Sequence, residues 1–360
     1  MTSDILIVGG GIAGISAAAR LSAHGSVTVL EAEDSLGYHA SGRSAAMFER
    51  EYGNRTVRAL NYASETHLKT ADGGVLSPRG ILMVARAGHL DAFRAESREM
   101  ALEPISPEEA FAMVPVLNRG KVAAAAASHG AQDLDADKLL QGFTRIARKN
   151  GAQIRTRCPV MAIRHTGKMW EAETPQGTHC TRILVNAAGA WVDEIARMAG
   201  VAPLGFTPYR RSIAQVPAPA GHDVKNWPML HGAQEAWYAK PGAGKLLISP
   251  SEEHLMEPHD AWADDMVLAE GIARYEEMVT TPVTRLETSW AGLRTFSPDR
   301  ALVIGRDKEQ PAFFWLAGQG GYGFQTSPAA SRLACDLITG AKPELDADLV
   351  AGLSPERFDA

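Results

Sequence analysis

Residues 4–31 constrain the fold more tightly than any other stretch of the chain. Asp4-Ile5-Leu6-Ile7-Val8 is a continuous run of β-formers, the pattern of a strand buried on both faces of a parallel sheet. It runs into Gly9-Gly10-Gly11-Ile12-Ala13-Gly14 and then into residues 15–21, whose alanine content and apolar spacing predict a helix packed on that sheet. A second β-run, residues 27–30, comes after the helix stop His24-Gly25 and ends at Glu31. This order is a βαβ unit with a dinucleotide-binding turn. Gly9 makes the tight turn, Gly11 lets backbone approach a pyrophosphate, and Gly14 lets the helix lie close to the strand. The helix N-terminus, with Ile12 and Ala13 in its first turn, faces the phosphates. Glu31, with Ala32 next to it, is placed to accept hydrogen bonds from both ribose hydroxyls of an adenosine, and its charge disfavours a 2′-phosphate.

The segment after Glu31 separates two cofactor classes. Residues 32–46 read Ala-Glu-Asp-Ser-Leu-Gly-Tyr-His-Ala-Ser-Gly-Arg-Ser-Ala-Ala, where NAD-binding domains more often pass directly into another helix and strand. A loop so rich in small and polar residues can lie along a bound flavin, with Arg43, Ser44 and backbone N–H groups, those of Ala45 and Ala46 included, meeting phosphate or ring heteroatoms. A helix cap and a solvated cation are the plain alternatives for Ser44 and Arg43.

Composition narrows the ligand class. Lys plus Arg number 36 against 42 Asp plus Glu, a net charge of −6 with no long run of either sign, which argues against a nucleic-acid surface and for a small ligand. At 360 residues the chain is long enough for two or three domains with large cores. No apolar stretch approaches the roughly 18 residues that span a bilayer. No charged n-region precedes an apolar segment at the N-terminus, so a cytoplasmic protein is expected. Cys158, Cys180 and Cys335 are odd in number and widely spaced, which fits neither a disulfide framework nor a zinc site; reduced thiols and no metal are expected.

The rest reads as two interleaved halves, an α/β architecture in which a Rossmann-type FAD-binding domain alternates with an antiparallel β-sheet substrate domain. The first is expected over residues 1–79, 137–204 and 297–360, the second over 80–136 and 205–296. Helices are expected at 52–70, 90–102, from Ser106 (a capping box with Pro107 at the first helical position), at 137–149, 192–198 and 327–338. Residues 183–186 form an apolar strand running into Ala187-Ala188-Gly189-Ala190, where backbone can approach a cofactor closely. Residues 206–296 are β-rich, with a hairpin signal at Pro241-Gly242-Ala243-Gly244. Gly320-Gly321-Tyr322-Gly323, just before a helix with Gln325 and Thr326 in its first turn, is backbone that can face a flavin's pyrimidine edge and stabilise negative charge there.

Together the βαβ unit, Gly42-Arg43-Ser44-Ala45-Ala46, residues 184–191 ending in Ala188-Gly189-Ala190-Trp191, Trp290-Ala291-Gly292-Leu293-Arg294 and Gln319-Gly320-Gly321-Tyr322-Gly323 resemble the FAD-dependent D-amino-acid oxidase superfamily. The likeness is greatest to its bacterial D-arginine dehydrogenase type, through Tyr38-His39-Ala40-Ser41-Gly42, Tyr209-Arg210-Arg211-Ser212, Trp227-Pro228-Met229-Leu230 and Gln325-Thr326-Ser327, and extends over nearly the whole chain. The resemblance implies an FAD enzyme that oxidises a D-amino acid to an imino acid, which hydrolyses to a 2-oxo acid. It also implies backbone contact with the adenine side at Val160, and cofactor contacts at Ala188, Gly189 and Trp191.

Such chemistry needs a carboxylate clamp, a neutral amine and a Cα–H aimed at flavin N5. Planar, bidentate binding of a carboxylate calls for guanidinium, and Arg211 and Arg294 are the candidates on the substrate-domain strands. Strand alternation puts only one of Arg210 and Arg211 on the cavity side, and Arg211 is the one expected there. Without context an arginine in a strand is more often a solvated surface residue, and a half-buried tyrosine more often core. By the resemblance, the positions of Tyr52, Arg211, Tyr238 and Arg294 bind the substrate carboxylate, and the Gly321 carbonyl accepts a bond from its amine. Some relatives with a Trp-His-Ala-type sequence hold the flavin covalently through histidine. The Tyr38-His39-Ala40 sequence here is closer to the noncovalent type. Met47 and Ile81 stand where arginine-preferring relatives carry a histidine and an acid, which points to neutral or apolar substrates. The residues leave the electron acceptor open, so a glycine, sarcosine or other secondary-amine oxidase remains the alternative.

Overall fold

The computed structural model describes residues 1–358. At its centre the strand Thr2–Val8 pairs in parallel with Val27–Leu30 on one side and Gly177–Asn186 on the other, within an eight-stranded sheet. Period-2 alternation sends its side chains into two cores. Ile5 and Ile7 pack with the helices Ile12–Leu21, Ala136–Lys149 and Gly323–Thr339. Leu6 and Val8 pack with Val192 and Ile195 of the helix Val192–Met198 and with Trp170. Burial on both faces is why this strand reads as an unbroken apolar run. Phe313–Ala317 extends the parallel part of the sheet from Gly177–Asn186.

Two helix starts differ from the sequence reading for local reasons. The helix expected from residue 52 begins at Arg55, because the Asn54 side chain accepts a hydrogen bond from Val57 N at 3.0 Å and closes the N-terminus. The last long helix begins at Gly323, which places Gln325 and Thr326 in its first turn as expected from the glycine cluster, rather than at 327, and it carries Pro328 inside it. Proline cannot donate to the carbonyl one turn back, but the Ser327 hydroxyl donates to the Phe324 carbonyl at 2.9 Å instead, so the helix continues.

The second sheet has nine strands, drawn from residues 81–128 and 207–296. Its pairings are antiparallel except one, Met229–Gly232 beside Ile81–Ala85, made possible by the long crossover between them. The 206–296 stretch also holds a helix that β-alternation does not reveal, Asp265–Glu276, capped by Asp264. That helix buries Leu268 and Tyr275 against Leu82, Val84, Leu230 and Ala239, one face of the sheet. The opposite face, set by the same register, looks toward the first sheet. A three-stranded sheet of Met47–Phe48, Gln132–Leu134 and Leu76–Pro78 closes the side between them. Among the described residues no helix is long and apolar enough to cross a membrane. Cys158, Cys180 and Cys335 are free thiols.

Candidate active site

The glycine turn is built as the spacing requires. Gly9 adopts φ +109°, and a Cβ there would lie 2.4 Å from the Ala187 carbonyl oxygen. A Cβ on Gly14 would lie 2.0 Å from the Gly9 carbonyl oxygen, so helix and turn touch backbone to backbone. Gly11 caps the helix without a side chain of its own, and Ser41 from the next loop accepts the Ile12 N–H at 3.0 Å. Glu31 Oε2 accepts from Gly10 N at 2.7 Å and Oε1 from Glu33 N at 2.9 Å, which fixes the carboxylate at the end of its strand.

From here a trench runs between the two large sheets as three adjoining cavities. The first, of about 390 Å³, is walled by Gly9, Gly11, Glu31, Ala32 and His39, with Val160, Ala188, Gly189 and Trp191 opposite. The middle one, of about 160 Å³, passes between Ile12 and Ala13 on the helix, Ser44 to Ala46 on the loop, and Gly320, Gly321, Gly323 and Gln325. The third, of about 420 Å³, holds Tyr52, Arg211, Tyr238, Arg294 and Tyr322. Arg211, Tyr238, Arg294 and Gly321 border both the second and the third.

Sheet register explains the convergence. His231 lies opposite Tyr238 and Met83, Met229 opposite Ile81, and Arg211 opposite Gly292, two residues before Arg294. Paired residues share a face, so alternation turns all of these toward the trench. Arg210, on the other face, is neutralised by Glu252 at 3.8 Å and Asp264 at 3.5 Å.

The arginine pair is primed for an anion. Arg211 is 8% exposed and donates through Nε to the Glu252 carbonyl at 2.9 Å, while its Nη2 stands 3.5 Å from Glu253. Burial and the neighbouring Arg294 lower its pKa. Arg294 has no hydrogen bond or carboxylate partner among the described residues. Burial works against its charge, yet the phenols of Tyr52, Tyr238 and Tyr322 outweigh that effect and raise its pKa. A Cβ on Gly321 would meet Arg294 Nη1 at 3.1 Å, so the glycine lets the chain lie against the guanidinium. Two like charges facing one cavity attract a carboxylate that can bridge them.

Several residues sit differently from the sequence reading. Arg43 borders the trench, but it donates to the carbonyls of Tyr38 (3.2 Å), Ala261 (2.8 Å) and Ala291 (3.0 Å) and pairs with Asp260. It therefore fastens the loop to the substrate sheet instead of offering its guanidinium to phosphate. Thr326 is fully buried away from the trench, its hydroxyl donating to the Tyr322 carbonyl at 2.8 Å, as hydroxyl residues inside helices commonly do. Tyr322 lies on the substrate side, its ring 5.3 Å from that of Tyr52. Gly14 does not line the trench and serves the close helix packing expected of it. His39 belongs to the nucleotide end, with Nε2 2.9 Å from Glu33 and its ring 4.6 Å from Trp191.

Sequence reasoning missed Ser41, Glu49, Met83, His231 and Lys240. Strand alternation from Met229 could have found His231, whereas Ser41 and Glu49 act from loops. Lys240 is 8% exposed and donates to the carbonyls of Ala45 (3.1 Å) and Ala46 (2.9 Å) while pairing with Asp133 at 2.9 Å, so a buried cation holds the loop that borders the middle cavity.

The trench suits a flavin dinucleotide. At Gly189, with φ +57°, nothing lies within 4 Å of where a Cβ would stand, so the backbone is bare toward the first cavity. Gln325 Nε2 is a buried donor with no partner beside the middle cavity. The family model for FAD dependent oxidoreductases matches residues 4–337. The chain belongs to this family. FAD is its cofactor, and the residues just described would hold it, with Glu31 at the ribose end and Gly320 to Gly323 at the ring end. Human mitochondrial dimethylglycine dehydrogenase is 25% identical to this FAD dependent oxidoreductase over 389 aligned residues, covering 99% of this chain and 44% of the relative, so the chain spans less than half the relative's length. The hydrogen cyanide synthase subunit HcnC of Pseudomonas aeruginosa is 22% identical, over 94% of this chain and 92% of its own. In fold, the chain is similar to L-proline dehydrogenase from P. horikoshii (TM-score 0.84, 24% identity, 99% and 98% of the two chains) and glycine oxidase from Geobacillus kaustophilus (TM-score 0.84, 21% identity, 99% of each).

Two histidines give this oxidoreductase an acid-sensitive fold. Burial, then Arg211 and Arg294, lowers the pKa of His231 to about 4. Burial, then Arg20 and Arg332, lowers that of His67, stacked on Phe143, to about 4. The unfolded chain protonates both near the ordinary 6.5, so their contribution is intact above about 6.5 and is lost as pH falls toward 4. The thermal midpoint of the wild type is expected to drop across this window, and a His67→Gln/His231→Gln double variant to show a shallower drop. Parallel curves for the two proteins would refute the assignment.

Proposed function

We propose that this family member is a D-amino-acid dehydrogenase that binds its FAD noncovalently. The observation that carries the reading is the convergence of Arg211 and the unpaired Arg294 with Tyr52 and Tyr238, beside the glycine-rich backbone of residues 320–323. The pair takes the substrate carboxylate, with phenol hydroxyls completing the clamp. The Gly321 carbonyl accepts a hydrogen bond from the amine and orients its lone pair, and clamp and carbonyl together fix the direction of the Cα–H bond. Bound FAD supplies the two-electron acceptor for the hydride leaving Cα. The Tyr38-His39-Ala40 sequence, in place of the Trp-His-Ala type, supports noncovalent attachment: denatured protein is expected to release its yellow colour into the supernatant.

A second reading, a glycine/sarcosine-type or other secondary-amine oxidase, is favoured by the names glycine oxidase, L-proline dehydrogenase and iminodiacetate oxidase among the similar structures. The size of the third cavity, about 420 Å³, supports a larger substrate. Anaerobic mixing of the purified flavoprotein with D-amino acids, L-amino acids and N-methylglycines tests both. Bleaching of the flavin by D-amino acids alone is the expected result; bleaching by L-amino acids or N-methylglycines in their place would overturn it. Hydrogen peroxide formed under air would identify an oxidase.

A further inference from the structure

We propose that Glu49 sets the specificity of this site by recognising a cationic N–H group at the far end of the substrate side chain. The inference rests on the proposed amino-acid oxidation and deepens it.

Glu49 lines the third cavity yet is 8% exposed. Its oxygens have only long contacts, Oε1 with Glu51 N at 3.3 Å and Oε2 with Ser128 Oγ at 3.4 Å. None of the ion pairs among the described residues includes it, although the cavity holds Arg211 and Arg294. A buried carboxylate without a counter-ion is costly, and burial accordingly raises its pKa. A protein that keeps such a group in a substrate cavity gains if the ligand brings the missing charge.

Placement agrees. Ser128 lies opposite Ile81, which lies opposite Met229, and four strands separate the strand of Ser128 from that of Arg211. The Glu49 carboxylate is therefore on the flank of the cavity away from the carboxylate clamp. Between them stand Met47, Ile81, Met83 and Met229, an adaptable apolar wall suited to a methylene chain. The site thus offers, in order, a cationic clamp, a hydrocarbon lining and a carboxylate. This matches an amino acid whose unbranched side chain ends in an ammonium or guanidinium. The neutral preference expected from Met47 and Ile81 is set aside: both do line the cavity, but the acid comes from the loop rather than from position 81.

Anaerobic flavin reduction by the holoenzyme with D-lysine and with D-norleucine, which share an unbranched four-carbon chain and differ in the terminal charge, tests the proposal. The wild type is expected to favour D-lysine at least about tenfold in kred/Kd, and Glu49→Gln to lower that ratio by about tenfold or more, the worth of a charge-assisted hydrogen bond. A wild type that favours D-norleucine, or a Glu49→Gln enzyme with an unchanged ratio, would overturn the role of Glu49 while leaving D-amino-acid oxidation standing. If neither compound nor any other amino acid bleaches the flavin, amino-acid oxidation itself falls. Should Glu49→Gln fail to bind flavin, Glu49→Asp takes its place: the shortened carboxylate is expected to lower the ratio, and an unchanged ratio would overturn the role of Glu49.

Discussion

Arg294→Met is expected to lose substrate capture while keeping its flavin. Methionine matches the length of the arginine stem and fills the space against Gly321, but it removes the one guanidinium in the cavity that no protein group neutralises. Arg211 cannot replace it, since its Nε is fixed on the Glu252 carbonyl and its Nη2 faces Glu253. Loss of one partner from a buried charge pair costs about 3 kcal/mol or more, so kcat/KM is expected to fall by roughly two orders of magnitude at least. The cofactor should stay at full occupancy, because the turn at Gly9, the Glu31 carboxylate and the loop held by Lys240 are untouched. Unchanged kcat/KM would remove Arg294 from the clamp. Equal loss of flavin and activity would make it a packing residue.

Gly9→Val acts at the other end. Its φ of +109° is a region that β-branched residues avoid, and its Cβ would stand 2.4 Å from the Ala187 oxygen and 2.8 Å from the Ala187 carbon. Strain and collision together displace the turn from the strand Gly177–Asn186 side of the trench, and FAD affinity is expected to fall by about 100-fold or more, roughly 2.7 kcal/mol. Gly177 provides the control. Its φ is +111°, nearly the same, but nothing lies within 4 Å of its Cβ position. Gly177→Val therefore carries the backbone strain without the collision, and it should purify yellow. A yellow Gly9→Val protein with normal FAD affinity would separate the glycine turn from cofactor binding, and a colourless Gly177→Val protein would remove the collision with Ala187 as the cause.

How far the sequence reveals this site depends on how local the determining contacts are. The βαβ unit is legible because strand, turn and helix are contiguous and each glycine answers to a neighbour. Alternation tells only that one of Arg210 and Arg211 faces the cavity, and the family resemblance points to Arg211; the other face proves to hold Glu252 and Asp264 for Arg210. The first turn with Gln325 and Thr326 is legible from the glycine cluster before it, whereas the passage of the helix through Pro328 is not, since nothing in the pattern says that Ser327 will satisfy the carbonyl left over. The anchoring of the Arg43 guanidinium was not legible, because its partners, Ala261 and Ala291, lie more than two hundred residues away and leave no trace in the spacing around it. Glu49 and Lys240 were invisible for the same reason. One is a loop carboxylate beside a strand brought near only by the sheet, and the other is a strand lysine whose targets are carbonyls of a distant loop. Family likeness bridged those gaps where motifs matched, and could not where this chain departs from its relatives.

A pair of guanidinium groups holding an amino-acid carboxylate against the flavin edge is the feature on which the proposed chemistry depends. Its most direct test compares a substrate with the amine that remains when the carboxylate is removed. D-lysine and cadaverine, or D-norleucine and pentylamine, are mixed anaerobically with the yellow protein while its absorbance is followed. The amino acids are expected to bleach the flavin and the amines not to, by a factor of about 100 or more in kred/Kd. Equal bleaching by the amines would contradict the clamp.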